Sequence, residues 1–285
     1  MNAGTIKAGL VQLNVSDDPA RNLPVTEAFI REAAAGGARF VLTPECTNLL
    51  SSDRAWQKEA LYHEEDDPTL AELRALAEDL GIWLLIGSLG LKTHDPDGRF
   101  ANRSFLIGPK GQIVAKYDKI HMFDVNVSET EKYRESEGYR PGTRAVTADT
   151  EFGKVGLAVC YDLRFPHLFR RLAKGGAQIL TLPAAFNDTT GAAHWETLIR
   201  ARAIENTAFV LAPAQCGAHV AHSPNAPARQ RRTWGHSLAV APWGEVLADG
   251  GAEPGVTLVD IDLARLAQAR GRVPSLTHDR DFDGP

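Results

Sequence analysis

The chain has 285 residues, a net charge of −5, and 44% apolar against 24% charged residues. This is an ordinary soluble composition with enough chain to bury a sizeable core, and the charge gives no reason to expect a nucleic-acid partner. No apolar run is long enough to cross a bilayer, and "MNAGTIKAGLVQLN" has no basic region leading into an apolar stretch, so it reads as mature protein starting on a strand.

Residues 5–14 alternate apolar and polar near their start and predict a strand. Helical spacing over 19–38 ends at the pair Gly36 and Gly37, as helices often do. Residues 39–45 predict a short buried strand stopped by Pro44, and 68–82 an amphipathic helix stopped by Gly81. Strands follow over 83–91 and 102–121, the second folded at the turn signal "GPKG". A buried strand over 154–160 leads to a helix over 166–177 with proline in its first turn. A strand (178–186), a helix (192–206) and a strand (207–215) come next. Residues 236–251 read as two strands around a turn, and 256–262 and 263–272 close the chain. Strands and helices alternate without a long linker, which implies one α/β domain over 1–285 with helices covering sheets. Residues 124–142 and 216–233 read as loops, and loops of such length in a compact domain are often functional.

Three strands end in chemistry. "TPE" places Glu45 just past one, "KYDKIH" places Lys119 past another, and "CYDLRFP" places Cys160 at the end of a third. In open α/β folds ligands sit beyond strand ends, so a carboxylate, an ammonium and a thiol could share one pocket. A thiolate is a strong nucleophile. A desolvated Glu, its pKa raised by burial, can serve it as base. A lysine favours the thiolate and can hold an oxyanion, and amides near the helix opened by Pro166 could add donors. Such a set suits acyl transfer. The three cysteines, Cys46, Cys160 and Cys216, are far apart with no CxxC pair. They suggest neither a zinc site nor a disulfide framework and fit a reducing, cytoplasmic compartment. His121, His194 and His236 show no HxxxH or HExxH spacing, so no metal is expected.

The segments "TPE", "KYDKIH" and "CYDLRFP", with "RESEGYRPG", "LPAAFNDTTGAAHWETLIRARAIEN", "AQCG" and "WGHSLAVAPWGEVLA", resemble those of the nitrilase superfamily of carbon–nitrogen hydrolases, in order along essentially the whole chain. The resemblance implies a four-layer α-β-β-α sandwich, a homodimer or higher homo-oligomer, no cofactor, and hydrolysis of a small-molecule amide through a thioester. It places the base on Glu45, the lysine on Lys119, the nucleophile on Cys160 and a second glutamate on Glu135. "AFNDTTGAAHW" is similar to omega-amidases, whereas "AQCG" and the tail "RVPSLTHDRDF" are similar to deaminated glutathione amidases, and the second activity is preferred. Asp118 departs from the basic or polar residue usual before the lysine, which puts in doubt how that lysine is held.

Plainer readings compete. Cys160 alone would more often be an inert core residue, Glu45 alone a helix N-terminal charge, and Lys119 one of two alternate lysines with Lys116 that only the motif separates. Substrate contacts are expected from Tyr161, Arg164, Asn187, Thr190 and His194, with Arg164 as a bidentate clamp on a substrate carboxylate rather than a surface ion pair. Arg229, Arg231 and Arg232 could attract further carboxylates or simply be solvated.

Overall fold

A computed structural model describes residues 4–129, 131–225 and 230–284. In chain order the strands are β1 (Thr5–Gln12), β2 (Phe40–Leu42), β3 (Trp83–Leu91), β4 (Ala101–Ile107), β5 (Ile113–Asp118), β6 (Asp124–Asn126), β7 (Lys132–Arg134) and β8 (Val146–Thr150). They continue as β9 (Gly153–Leu157), β10 (Ile179–Thr181), β11 (Phe209–Ala212), β12 (Cys216–Ala218), β13 (Arg232–Trp234), β14 (Leu238–Val240), β15 (Val246–Asp249) and β16 (Gly255–Asp262). The helices are α1 (Pro19–Ala35), α2 (Arg54–Ala60), α3 (Pro68–Leu80), α4 (Pro166–Lys174), α5 (Asp188–Asn206) and α6 (Ala264–Arg272).

Two six-stranded sheets form, ordered β16-β1-β2-β3-β4-β5 and β15-β14-β11-β10-β9-β8. Strand alternation separates their faces. Phe40, Leu42 and Leu85 join the core that also holds Leu157, Ile179 and Leu211 of the second sheet. Val41, Leu84 and Ile86 point the other way, onto Ile30 of α1 and Leu73 and Leu76 of α3. On the far side of the second sheet, Leu168 and Phe169 of α4 and Trp195 and Ile199 of α5 are buried. The result is the expected α-β-β-α sandwich.

Several expected boundaries move. Phe209–Ala212 is all of the strand expected over 207–215, and of 178–186 only Ile179–Thr181 forms a strand, with Ala184 making an isolated bridge to Ala214. The fifth helix starts earlier than its apolar spacing indicates, because the Asn187 side chain caps it by accepting from Thr190 N at 3.1 Å. Gly191 in its first turns has no room for a side chain, since a Cβ there would lie 2.4 Å from Trp234 Cβ. Helix α2 escaped the sequence reading altogether; Asp53 starts it, accepting from Ala55 N and Trp56 N.

Neither long loop is wholly irregular. Residues 124–142 hold the β6–β7 hairpin and a 3-10 turn over Glu135–Glu137. Residues 216–233 hold β12 paired with β13, with Arg229 outside the described residues. Buried His219 braces this hairpin: Nδ1 donates to Val15 O at 2.7 Å, and Nε2 accepts from Thr233 Oγ1 at 2.7 Å. The carbonyl can only accept, which assigns the tautomer. Burial pushes its pKa down to about 4, against the opposing bond to Val15. The unfolded chain therefore binds a proton that the folded chain does not between pH 6.5 and 4. This contribution to stability is full above pH 6.5 and falls by about 3 kcal/mol as pH drops through that window. Urea unfolding at stepped pH should show a flatter acid limb for His219→Asn than for wild type. Parallel curves would refute the assignment.

Candidate active site

Each strand end is held rigidly where its chemical group leaves the sheet. After β2 the chain turns at Pro44. Gly87 N donates to Thr43 Oγ1 at 3.0 Å, Cys46 N to Ser88 Oγ at 2.9 Å, and Gln215 Nε2 to Glu45 O at 3.0 Å. A Cβ on Gly87 would meet Thr43 O at 2.1 Å, so only glycine lets β3 run so close beneath this turn. After β5, Lys119 N donates to Asn102 O at 3.0 Å, and Gly142 N to Lys119 O at 2.8 Å.

Cys160 has φ of +48°, a left-handed backbone that a β-carbon disfavours, and it opens a 3-10 turn over Cys160–Arg164. Three anchors hold this turn. Cys160 N donates to Pro183 O at 2.9 Å. Buried Arg202 of α5 donates to Leu163 O through Nε (2.9 Å) and a terminal nitrogen (2.7 Å). Asp162, fully buried, accepts from Val159 N (2.9 Å), Tyr117 Oη (2.7 Å), His121 N (3.0 Å) and His121 Nδ1 (2.6 Å). Asp162 thus ties the segment carrying Lys119 to the turn carrying Cys160.

The three groups meet. Glu45, Lys119 and Cys160 are 3%, 2% and 7% exposed. Glu45 Oε1 accepts from Lys119 Nζ and from Asn102 Nδ2, both at 2.9 Å, and its Oε2 from Ala185 N at 2.8 Å. The Cys160 thiol lies close enough to Glu45 for each group to shift the ionisation of the other. Glu135 takes the other side of Lys119 Nζ at 2.8 and 3.0 Å, and Phe123 N donates to Glu135 Oε2 at 2.6 Å.

Charge settles the resting protonation, and it differs from the expectation. Burial alone would raise Glu45, but Lys119 beside it, with Cys160 and the Ala185 amide, holds its carboxyl below the usual range. Burial likewise opposes the Lys119 ammonium, and Glu135 and Glu45 together hold its pKa well above the ordinary value. The Cys160 thiol is pushed well up, first by burial and then by the Glu45 charge, with Lys119 opposing. At neutral pH the site therefore holds a carboxylate, an ammonium and a thiol. The Glu45 carboxyl is ready ionised, and no standing thiolate is present.

The groups open into a cavity of about 550 Å3. Tyr161, Asn187 and Thr190 line it, as expected, together with Glu135. Arg164 and His194 do not. Arg164 packs over the rings of Tyr161 and Phe186 and meets exposed His194 Nδ1 at 3.3 Å. His194 is exposed because the buried stripe of its helix runs through Gly191, Trp195 and Ile199. Arginines in the cavity lining are instead Arg54, Arg134, Arg231 and Arg232, of which Arg232 pairs with Asp188 at 3.2 Å. Asp118 does not touch the lysine: Arg103 clamps it at 2.6 and 2.9 Å. Lys116 is exposed and paired with Glu64, whereas Lys119 is buried. Asn102 and the Ala185 amide were missed from sequence. A buried asparagine within a strand, at a position where apolar residues are the norm, was the available signal for the first.

These strand ends on two packed sheets define the class, a nitrilase-type sandwich. Residues 7–271 match the model of the carbon-nitrogen hydrolase family, and the chain belongs to that family. It is 39% identical to a deaminated glutathione amidase of Yersinia enterocolitica over 95% of this chain and 92% of that one. It is 37% identical to the human omega-amidase NIT2 over 95% and 93%. Its fold superimposes on the Caenorhabditis elegans NitFhit protein with a TM-score of 0.87 and 35% identity, covering 98% of this chain and 66% of that one. The chain is an enzyme that hydrolyses amide C–N bonds, an amidase of the nitrilase superfamily.

Proposed function

We propose that this amidase acts on a small carboxylate-bearing amide, deaminated glutathione in preference to α-ketoglutaramate or α-ketosuccinamate, with Glu45, Lys119, Cys160 and Glu135 as its catalytic set. The carrying observation is that one buried carboxylate, Glu45, pairs with the Lys119 ammonium at 2.9 Å and lies close enough to the Cys160 thiol for each to shift the other's ionisation. Glu45 takes the thiol proton as Sγ attacks the amide carbon. Lys119 and the Tyr161 backbone N–H stabilise the oxyanion. Protonated Glu45 then gives its proton to the leaving nitrogen, and the amine departs as the thioester forms, cysteinylglycine from deaminated glutathione or ammonia from α-ketoglutaramate. Glu45 deprotonates a water that Glu135 helps to place, the C–S bond breaks, and the thiol and carboxylic acid are regenerated.

Cavity size supports the larger substrate. At about 550 Å3 the space lies well within the range of sites for drug-sized ligands, more than a five-carbon keto amide fills. Arg54, Arg231 and Arg232 along its wall suit a substrate with several carboxylates. The intact buried set argues against an inactive binding protein on the same fold. Three free cysteines support a reducing, cytoplasmic setting, and a homo-oligomer is part of the same reading through the family resemblance.

Hydrolysis of deaminated glutathione, followed as cysteinylglycine release, and of α-ketoglutaramate, followed as ammonia release, measured side by side, tests the choice. A kcat/KM at least tenfold higher for the first is expected. The reverse order would make α-ketoglutaramate the substrate, and release from neither would reject the substrate class.

A further inference from the structure

Away from the cavity, the chain leaving α2 runs beside the chain leaving β3. His63 pairs with Lys92 in an isolated parallel bridge, and Lys92 N donates to Tyr62 O at 2.8 Å. Glu64–Asp66 then forms a 3-10 turn, while Thr93 Oγ1, donating to Arg99 O at 2.7 Å, closes the loop on the other side. This scaffold brings three side chains together. Half-buried His63 and exposed His94 stack with ring centroids 4.3 Å apart and planes 4° from parallel, and Glu65 Oε1 meets His94 Nε2 at 2.8 Å. A ring nitrogen of each histidine and a Glu65 oxygen all lie within 4.8 Å of one another. Among the described residues, no other set of three or more His, Cys, Asp or Glu side chains does so. None of the three lines the catalytic cavity.

The plain reading is a surface ion pair beside an aromatic stack, and such a pair contributes little. Two features go beyond it. His63 Nδ1 is buried and meets no hydrogen-bond partner among the described residues, which costs free energy unless the nitrogen finds one. Glu64 is taken by Arg103 and Lys116, whereas Glu65 pairs with an imidazole. Two imidazoles and a carboxylate are a donor set of borderline cations such as Zn2+. Bonds of about 2.0–2.2 Å need the donor atoms closer than they stand. Exposed His94 and Glu65 can swing inward by side-chain rotation, toward His63 on its bridged backbone.

We infer that His63, Glu65 and His94 form a binding site for a divalent transition-metal cation of the zinc type, which clips the 3-10 turn over Glu64–Asp66 to the loop after β3. The cation acts on the frame and not on the chemistry. Glu64 beside it holds Arg103, and Arg103 holds Asp118, the residue before Lys119. Glu65 and His94 are 29 positions apart, so no HxxxH or HExxH spacing announces the site in the sequence. The inference is independent of the substrate proposed above.

The test titrates full-length protein, stripped with EDTA and then dialysed free of it, with ZnCl2 in calorimetry and thermal unfolding. One Zn2+ is expected to bind here and to raise Tm by about 4 °C at a free concentration 100 times its Kd. His94→Ala, at an exposed position, should leave the metal-free Tm little changed. It should weaken this binding at least about tenfold, since loss of an outer-shell partner alone costs that much. Glu65→Gln should weaken it as well, and MgCl2 should give no shift. Zinc taken by the Cys160 thiol is common to wild type and variants and drops out of the comparison. No shift in wild type, or an equal shift in wild type and His94→Ala, would overturn the inference. An equal response to Mg2+ would overturn the assignment to a transition metal.

Discussion

Glu45→Gln is expected to lower kcat/KM for amide hydrolysis by at least about 10³-fold, toward the upper end of what one positioned acid–base group supplies. In the proposed mechanism the residue moves protons in both halves of the reaction, and a carboxamide can neither accept the thiol proton nor return one to the leaving nitrogen. Its surroundings add a structural cost. Glu45 receives Lys119 and Asn102 on one oxygen and Ala185 N on the other. A glutamine must turn its NH2 toward one of these donors, which leaves a buried donor unsatisfied at about 1–3 kcal/mol. Thermal unfolding should therefore show a lower Tm with a cooperative transition retained. Alkylation of Cys160 by iodoacetamide at pH 7 should fall far less than turnover. Removing the carboxylate relieves the charge that helps raise the thiol pKa, and iodide leaves without a proton. Amide turnover within tenfold of wild type, in a folded Glu45→Gln variant, would reject Glu45 as the base.

How much of this was legible in the sequence differs between the sheet ends and the walls. The strand-then-loop elements at Glu45, Lys119 and Cys160 are local events, written in runs of buried residues broken by Pro44, by "KIH" and by Pro166. Those runs, alternating with amphipathic helices, made an α/β domain with helices covering sheets legible, whereas the four-layer sandwich was implied by the family resemblance alone. What converges from a distance was not legible. Asn102 lies 57 positions from Glu45 and Ala185 140 positions from it, yet both donate to the same carboxylate. The protonation pattern failed for the same reason. Burial was visible in the sequence and predicts a raised carboxyl, but the direct contact with Lys119 that reverses it exists only once the sheets are packed. Arg164 was placed near Cys160 by a spacing of four residues, but the sequence did not show that the 3-10 turn sets it behind Tyr161 and Phe186, which themselves line the cavity. Arg231 was legible only as one of three loop arginines that either attract carboxylates or are solvated, because the hairpin that brings it to the cavity depends on His219 reaching Val15, 204 positions away.

Lys119→Met should lose turnover and destabilise the fold together, by about 3–5 kcal/mol, the cost of removing one partner from a buried ion pair. The methionine fills much of the volume of the lysine stem, so the loss is electrostatic rather than a cavity. Glu45 and Glu135 then remain in the interior without their shared cation, held only by Asn102, Ala185 N and Phe123 N. The sign of the pH dependence follows. In wild type the folded pKa of Glu45 lies below its unfolded value, so its contribution is present at neutral pH and is lost on acidification. In the variant an uncompensated buried carboxylate has its pKa raised. Its folded form binds a proton more readily than its unfolded form, so the variant gains stability as pH falls. The two stability curves should converge between pH 7 and pH 5, and adding Glu135→Gln to Lys119→Met should recover part of the deficit at pH 7. Urea unfolding across that range measures both effects. A deficit that stays constant with pH, or is untouched by Glu135→Gln, would mean that Lys119 contributes by packing and not as the cation shared by two carboxylates.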